Sequence, residues 1–176
     1  MTLAAAGDIA PIITALIALT AVCIAYRAMT VQRDVARRRA AVDFFLKTEM
    51  DSHVVAMYEK FRDAVRELPT LMNRDDLCKS EEYYDIRNYL NICELISVGI
   101  NQEAFSERVS YAYWGNVLPQ CYQLSMPLIR YIRANPQEGT AITYCDLERL
   151  CARWKKKREA VATIQPPAPD PSAPTR

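Results

Sequence analysis

The hydrophobic pattern of this chain changes period once. From Ile9 to Tyr26 (IAPIITALIALTAVCIAY) eighteen residues carry no charge and leave no polar face. As a helix this run is about 27 Å long, against a hydrocarbon core of roughly 30 Å. Leu3–Gly7 can extend it, Asp8 sits at headgroup level, and Pro11 falls in the first turn, where a missing N–H costs least. The pattern predicts residues 1–8 as a short extracytoplasmic tail and residues 9–26 as a transmembrane helix.

Beyond Tyr26 the apolar positions fall at helical spacing. Leu46, Met50, Val54, Tyr58, Phe61, Val65 and Leu68 step by three and four. Asp51 and Ser52 can cap a fresh helix, and Pro69 is expected to end that run. Ser80, followed by Glu81 and Glu82, starts a helix that stops near Gly99. Ser106 caps the next one. Pro119 and Pro127 are expected to begin, break or kink the helical segments around them, so SMPLIRYIRAN reads as a separate or kinked helix. NPQEG is a turn, and Thr140 or Thr143 caps a last helix through YCDLERLCARWKKKREA. No β alternation appears. QPPAPDPSAPTR, with five Pro in twelve residues, reads as an extended, disordered tail. The predicted fold is all-α. Residues 9–26 cross the membrane, 27–50 form a basic juxtamembrane helix, 51–160 form a bundle of about four to five helices, and 161–176 are the tail.

Charge sets the orientation. Residues 27–39 hold five arginines, Arg27, Arg33, Arg37, Arg38 and Arg39, against one acid, Asp34. The tail before the span has no basic side chain. The positive-inside bias therefore places the N-terminus outside and residues 27–176 in the cytoplasm, on the inner (plasma) membrane of a cell. The five arginines then lie against anionic lipid headgroups, each contributing roughly 1 kcal/mol. A secretory signal would need a basic start and a small-x-small cleavage site, and neither is present. A presequence would interleave its arginines with apolar residues. A soluble core helix is rarely apolar on every side for five turns.

The whole chain carries a net charge of +1, so its overall charge does not point to nucleic acid. Residues 41–152 hold 17 acidic and 11 basic side chains, making an acidic body between two basic ends, and RWKKKR at 153–158 is the second. Its cations suit a helix C-terminus. The six cysteines form no Cys-x-x-Cys pair and no zinc spacing with His53, the single histidine, and they read as reduced. Four glycines do not make a phosphate loop, and no nucleophile-elbow pattern surrounds a serine. No catalytic residue, cofactor or metal site is predicted.

The remaining candidate is a polar stripe. In RNYLNICELISVGIN, Arg87, Asn91 and Glu94 fall at i, i+4 and i+7 on one helix face, beside the apolar Leu90, Cys93 and Ile96. Arg130 and Arg133 are the natural partners for Glu94. The network reads as a register-fixing salt bridge or as a binding site. In the span, Thr14, Ala18, Ala21 and Ala25 form a small-residue face suited to a homo-oligomer. Tyr111, Tyr113, Trp114 and Tyr122 read as core or groove lining.

The order of span, arginine-rich helix, YLNICELISVGI, YWGNVLPQ, PLIRYIRANP and DLERLCARW, over residues 10–154, resembles a family of small bacterial single-span proteins known only as a domain of unknown function. More distantly it is similar to the small HEPN-like membrane accessory proteins of type VI CRISPR systems. That second resemblance implies a ring-forming membrane effector or an RNA-binding helical body. HEPN ribonucleases place a His four to six residues after an Arg, and no His here follows an Arg at that distance, so a body of this kind would lack the catalytic pair. The expected function is therefore a membrane-anchored, cytoplasm-facing interaction or assembly module with a protein partner.

Overall fold

A computed structural model describes residues 3–164, with side chains from 11 to 160. The expected disordered tail from 165 onward lies outside the described residues. Six α-helices follow in order: α1 (Leu3–Met50), α2 (Ser52–Leu71), α3 (Glu81–Asn101), α4 (Glu107–Trp114), α5 (Val117–Ala134) and α6 (Cys145–Ile164), with a 3₁₀ turn at Leu77–Lys79. The described residues contain no strand.

α1 is one continuous helix of 48 residues, about 72 Å long. It lives in two environments. From Pro11 to Ala36 every side chain is exposed. From Arg37 the same helix joins the body: the Ser106 amide donates to the Arg37 carbonyl at 3.3 Å, and Ala41, Phe45 and Thr48 are buried. Part of the segment expected as a basic juxtamembrane helix, residues 27–50, thus packs into the core. The chain then breaks at Asp51, whose extended backbone (φ −83°, ψ 105°) and side chain cap α2 by accepting from the His53 amide at 2.9 Å. His53 itself is exposed.

α3 lies at the centre. It packs against α2 on one side and α6 on the other, and α5 closes over α6. Its start is as expected: Ser80 Oγ accepts from the Tyr83 amide at 3.2 Å, with Glu81 and Glu82 in the first turn. Ile86, Leu90, Cys93 and Ile96 are fully buried and meet Leu147, Leu150 and Trp154 of α6 and Leu128 and Ile132 of α5 in one core. Each such side chain contributes about 1.5–3 kcal/mol through lost apolar surface. Trp154 is buried with its indole N–H satisfied, donating to Glu107 Oε1 at 3.0 Å.

The prolines behave differently from expectation. α2 continues through Pro69 to Leu71, because buried Leu68 and Leu71 anchor its last turn while Pro69 faces out. α5 continues through Pro127. Pro127 and Gln123, whose carbonyl loses its helical donor, are not buried, so water can serve that carbonyl. Pro119 sits in the first turn of α5.

The contrast between two leucines of α3 tests this core. Leu90 is 0% exposed and Leu95 is 60% exposed. Leu90→Ala is expected to lower stability by about 2–5 kcal/mol, and Leu95→Ala by no more than about 0.5 kcal/mol. Denaturant unfolding of the detergent-solubilised chain, followed by circular dichroism, measures both.

Candidate functional site

The polar stripe of α3 faces the turn that joins α5 to α6. Arg87 reaches Glu138: its Nη1 donates to Glu138 Oε2 at 3.0 Å and its Nη2 to the Glu138 carbonyl at 3.2 Å. The same guanidinium donates to Tyr83 Oη at 2.9 Å, and Tyr83 in turn donates to Glu138. One turn on, Asn91 Oδ1 accepts from the Tyr144 hydroxyl at 3.2 Å. Glu94 then takes the end of α6, accepting from the Asp146 amide at 3.2 Å and the Leu147 amide at 2.8 Å. Asn101 continues the row, its Nδ2 donating to Asp146 Oδ1 at 2.9 Å.

Glu94 thus does from a distance what an N-cap side chain does locally. It satisfies two of the helix amides that have no intrahelical partner and sets a negative charge at the positive helix end. Thr143, one of the two caps expected for α6, serves another purpose. Its hydroxyl turns back to accept from the Thr140 amide at 2.9 Å, which closes the turn. Tyr144, at φ 61°, then reverses the chain into the helix. Gly139 is needed here, because a Cβ at this position would lie 2.6 Å from Ile132 Cγ2 and 2.9 Å from Thr143 Oγ1.

Arg133 holds the same turn from α5. Its Nε donates to the Thr143 carbonyl at 2.9 Å, and its Nη2 lies 2.8 Å from Glu148 Oε2, an ion pair in which that nitrogen is off the hydrogen-bonding direction. Arg133 and Glu94 therefore grip one helix end from two sides rather than pairing directly. Arg130 stands outside this network, exposed on the outer face of α5. Of the five expected residues, Arg87, Asn91, Glu94 and Arg133 converge and Arg130 does not.

Burial raises the Glu94 carboxyl above its ordinary value, opposed by the two amide bonds. Glu138 is lowered, chiefly by the Tyr83 hydroxyl, and Glu148 chiefly by Arg133. One donor atom from each of Glu94, Cys145 and Asp146 lies within 4.8 Å of the others. The Glu94 oxygens accept from backbone amides and Asp146 Oδ1 from the Asn101 side chain, so the group closes a helix end and is not an open ligand set. The six cysteines are free, with Cys93, Cys121 and Cys151 buried.

The five arginines expected at the membrane surface do not share one plane along α1. Arg27 and Arg39 are about 18 Å apart along α1. Arg37 pairs with Glu103 at 2.6 Å and Arg38 with Asp34 at 2.5 Å, while Arg27, Arg33 and Arg39 are exposed. Sequence reasoning missed Tyr83, Asn101, Glu138 and Tyr144. Tyr83 and Asn101 extend the stripe at the same spacing, which is a readable signal. Glu138 and Tyr144 lie in turn sequence, with no periodicity to mark them.

Tyr113 and Trp114 line a cavity of about 390 Å³ between α1, α2, α3 and α4, together with Tyr58 and Tyr89. Tyr111 instead packs edge-on against Trp154, and Tyr122 is buried.

Residues 15–154 match the family described as Domain of unknown function (DUF4760), and the chain belongs to that family. No curated protein and no solved structure matches it.

If Glu94 acts as a remote cap, Glu94→Ala lowers stability by about 1–2 kcal/mol. Arg130→Ala stays within about 0.5 kcal/mol of the parent. Denaturant midpoints check the pair. The pH dependence has a defined sign. Glu138 and Glu148, held below the ordinary value of 4.5, stabilise the fold above that value, and the contribution is lost as pH falls through their folded pKa. Glu94, raised, acts in the opposite direction, its protonation favouring the fold. Melting temperatures recorded across the acid range should fall less steeply for Glu138→Gln than for the parent.

Proposed function

We propose that this member of a domain-of-unknown-function family is a membrane-anchored, cytoplasm-facing helical module that presents its bundle to a protein partner. The observation that carries this reading is the divided character of α1. Its apolar window is long enough to cross a bilayer and is 0% buried. Further along, the same unbroken helix is built into the core through Ala41 and Phe45. An exposed apolar face of five turns is unstable in water and stable in lipid, where every backbone group is satisfied within the helix.

The stalk between span and body is residues 27–36, about 15 Å of exposed helix. Arg27 and Arg33 on it then face the headgroup region, and the arginines of residues 27–39 favour the cytoplasmic side for the body. The polar groups of the body support a scaffold. Arg87, Asn91, Glu94 and Arg133 are engaged with backbone and side chains of the α5–α6 turn. A module of this kind acts through its surface and its fixed distance from the bilayer.

The chain is expected to stay with membranes after an alkaline carbonate wash, and a version lacking residues 1–26 to be released. A fluorescent protein fused at the C-terminus should fold and fluoresce, and an alkaline phosphatase fused there should be inactive. The reverse pair of reporter results would overturn the orientation, and extraction of the full chain by carbonate would overturn the anchor.

A further inference from the structure

The cavity that contains Tyr113 and Trp114 has an uncommon lining. Tyr58 and Tyr89 form one aromatic wall, their ring centroids 5.3 Å apart, and Tyr113 and Trp114 form the other, also at 5.3 Å. Tyr89 and Trp114 are buried, whereas Tyr58 and Tyr113 are 39% and 45% exposed, so the mouth is aromatic as well as the floor. Val117 completes the apolar surface, and Glu49 is the one charged residue of the lining. No basic side chain lines it, so its chemistry does not suit a phosphate or a nucleic acid.

We propose that this cavity is the docking site of the chain's own Pro-rich C-terminal segment, residues 165–176. Flat aromatic walls accept pyrrolidine rings, and a polyproline II helix leaves its carbonyls free for tyrosine hydroxyls. The segment QPPAPDPSAPTR contains two Pro-x-x-Pro steps, Pro166 to Pro169 and Pro171 to Pro174. It lies outside the described residues, and α6 is the helix that leads into it.

α6 packs on the Tyr111 face of α4, opposite the face that turns Tyr113 to the cavity, and its later turns reach the start of α5. Lys157 Nζ lies 4.3 Å from the centroid of the Tyr111 ring, and Arg158 Nη1 is 3.5 Å from Asn116 Oδ1, next to Val117 of the cavity. Ile164 is six residues further, about 9 Å of helix. A twelve-residue chain can span about 37 Å at the polyproline II rise. Asp170 and Arg176 are the side-chain charges of the segment. Glu49 at the cavity wall therefore favours a seating with Arg176 towards it. Docking in cis also needs no partner to be brought together from solution, so a weak contact suffices.

The test places a photo-crosslinker in the full chain, Ala173→p-benzoylphenylalanine, in detergent or in membranes. Crosslinks are expected within one chain, to peptides that contain Tyr58 or Tyr113. Tyr58→Ala with Tyr113→Ala should lower their yield about tenfold, the loss expected for aromatic anchors. Replacing Pro166, Pro169, Pro171 and Pro174 with Ala should do the same, and this variant leaves all six helices untouched. Three results would overturn the proposal: crosslinks elsewhere on the body, crosslinks that join only light to heavy copies in an isotopically mixed sample, or a yield unaffected by the proline replacements. Capture of an added Pro-rich peptide by the full chain as readily as by a chain ending at Ile164 would also overturn it, because the site would then be open.

Discussion

Two amides of α6 and one carboxylate of α3 fix how the bundle closes. The residue before α6 is Tyr144, whose hydroxyl donates to Asn91 and does not cap the helix, so the first amides of α6 need an outside acceptor. Glu94 is that acceptor, and both of its oxygens are used. Desolvating a carboxylate costs more than most surface contacts return, which is why its pKa is raised rather than lowered. The arrangement holds because the other groups on the row secure the same turn. Arg87 takes Glu138, Asn91 takes Tyr144 and Asn101 takes Asp146. Once α6 is aligned on α3, Leu147, Leu150 and Trp154 fall into the core that Ile86, Leu90 and Ile96 present.

This network also bears on chemistry. A catalytic or metal-binding group needs lone pairs or protons free to meet a substrate. Here the carboxylates and the guanidinium of Arg87 already serve the backbone or one another. Half-buried polar groups with such complete local engagement rigidify a fold and specify one register, a use for which buried polar networks are well suited.

Much of the architecture is legible in the sequence because it rests on periodicity. Eighteen uncharged residues, the Asp51 break and the Ser80 cap are local signals, and each is found in place. The stripe at 87, 91 and 94 is visible for the same reason. Its partners are not, because Glu138 and Tyr144 come near it only through the reversal at Gly139 and Tyr144. The expected pairing of Glu94 with Arg130 and Arg133 rests on opposite charge alone. Burial decides otherwise, since Arg133 is drawn to a carbonyl and Glu148 while Arg130 faces out. Pro69 and Pro127 mislead for a related reason. Proline removes one hydrogen bond, but buried leucines and isoleucines in the adjacent turns contribute more than that loss.

α1 joins the exposed apolar segment to the body as one continuous helix. It leaves the apolar window as a single helix and ends at Met50, where Thr48 and Glu49 form part of the aromatic cavity wall. α4 supports that wall from the other side, with Phe45 of α1 stacked on Tyr113 at 5.2 Å. Whatever fills the cavity therefore touches α1 at the end opposite its exposed apolar window.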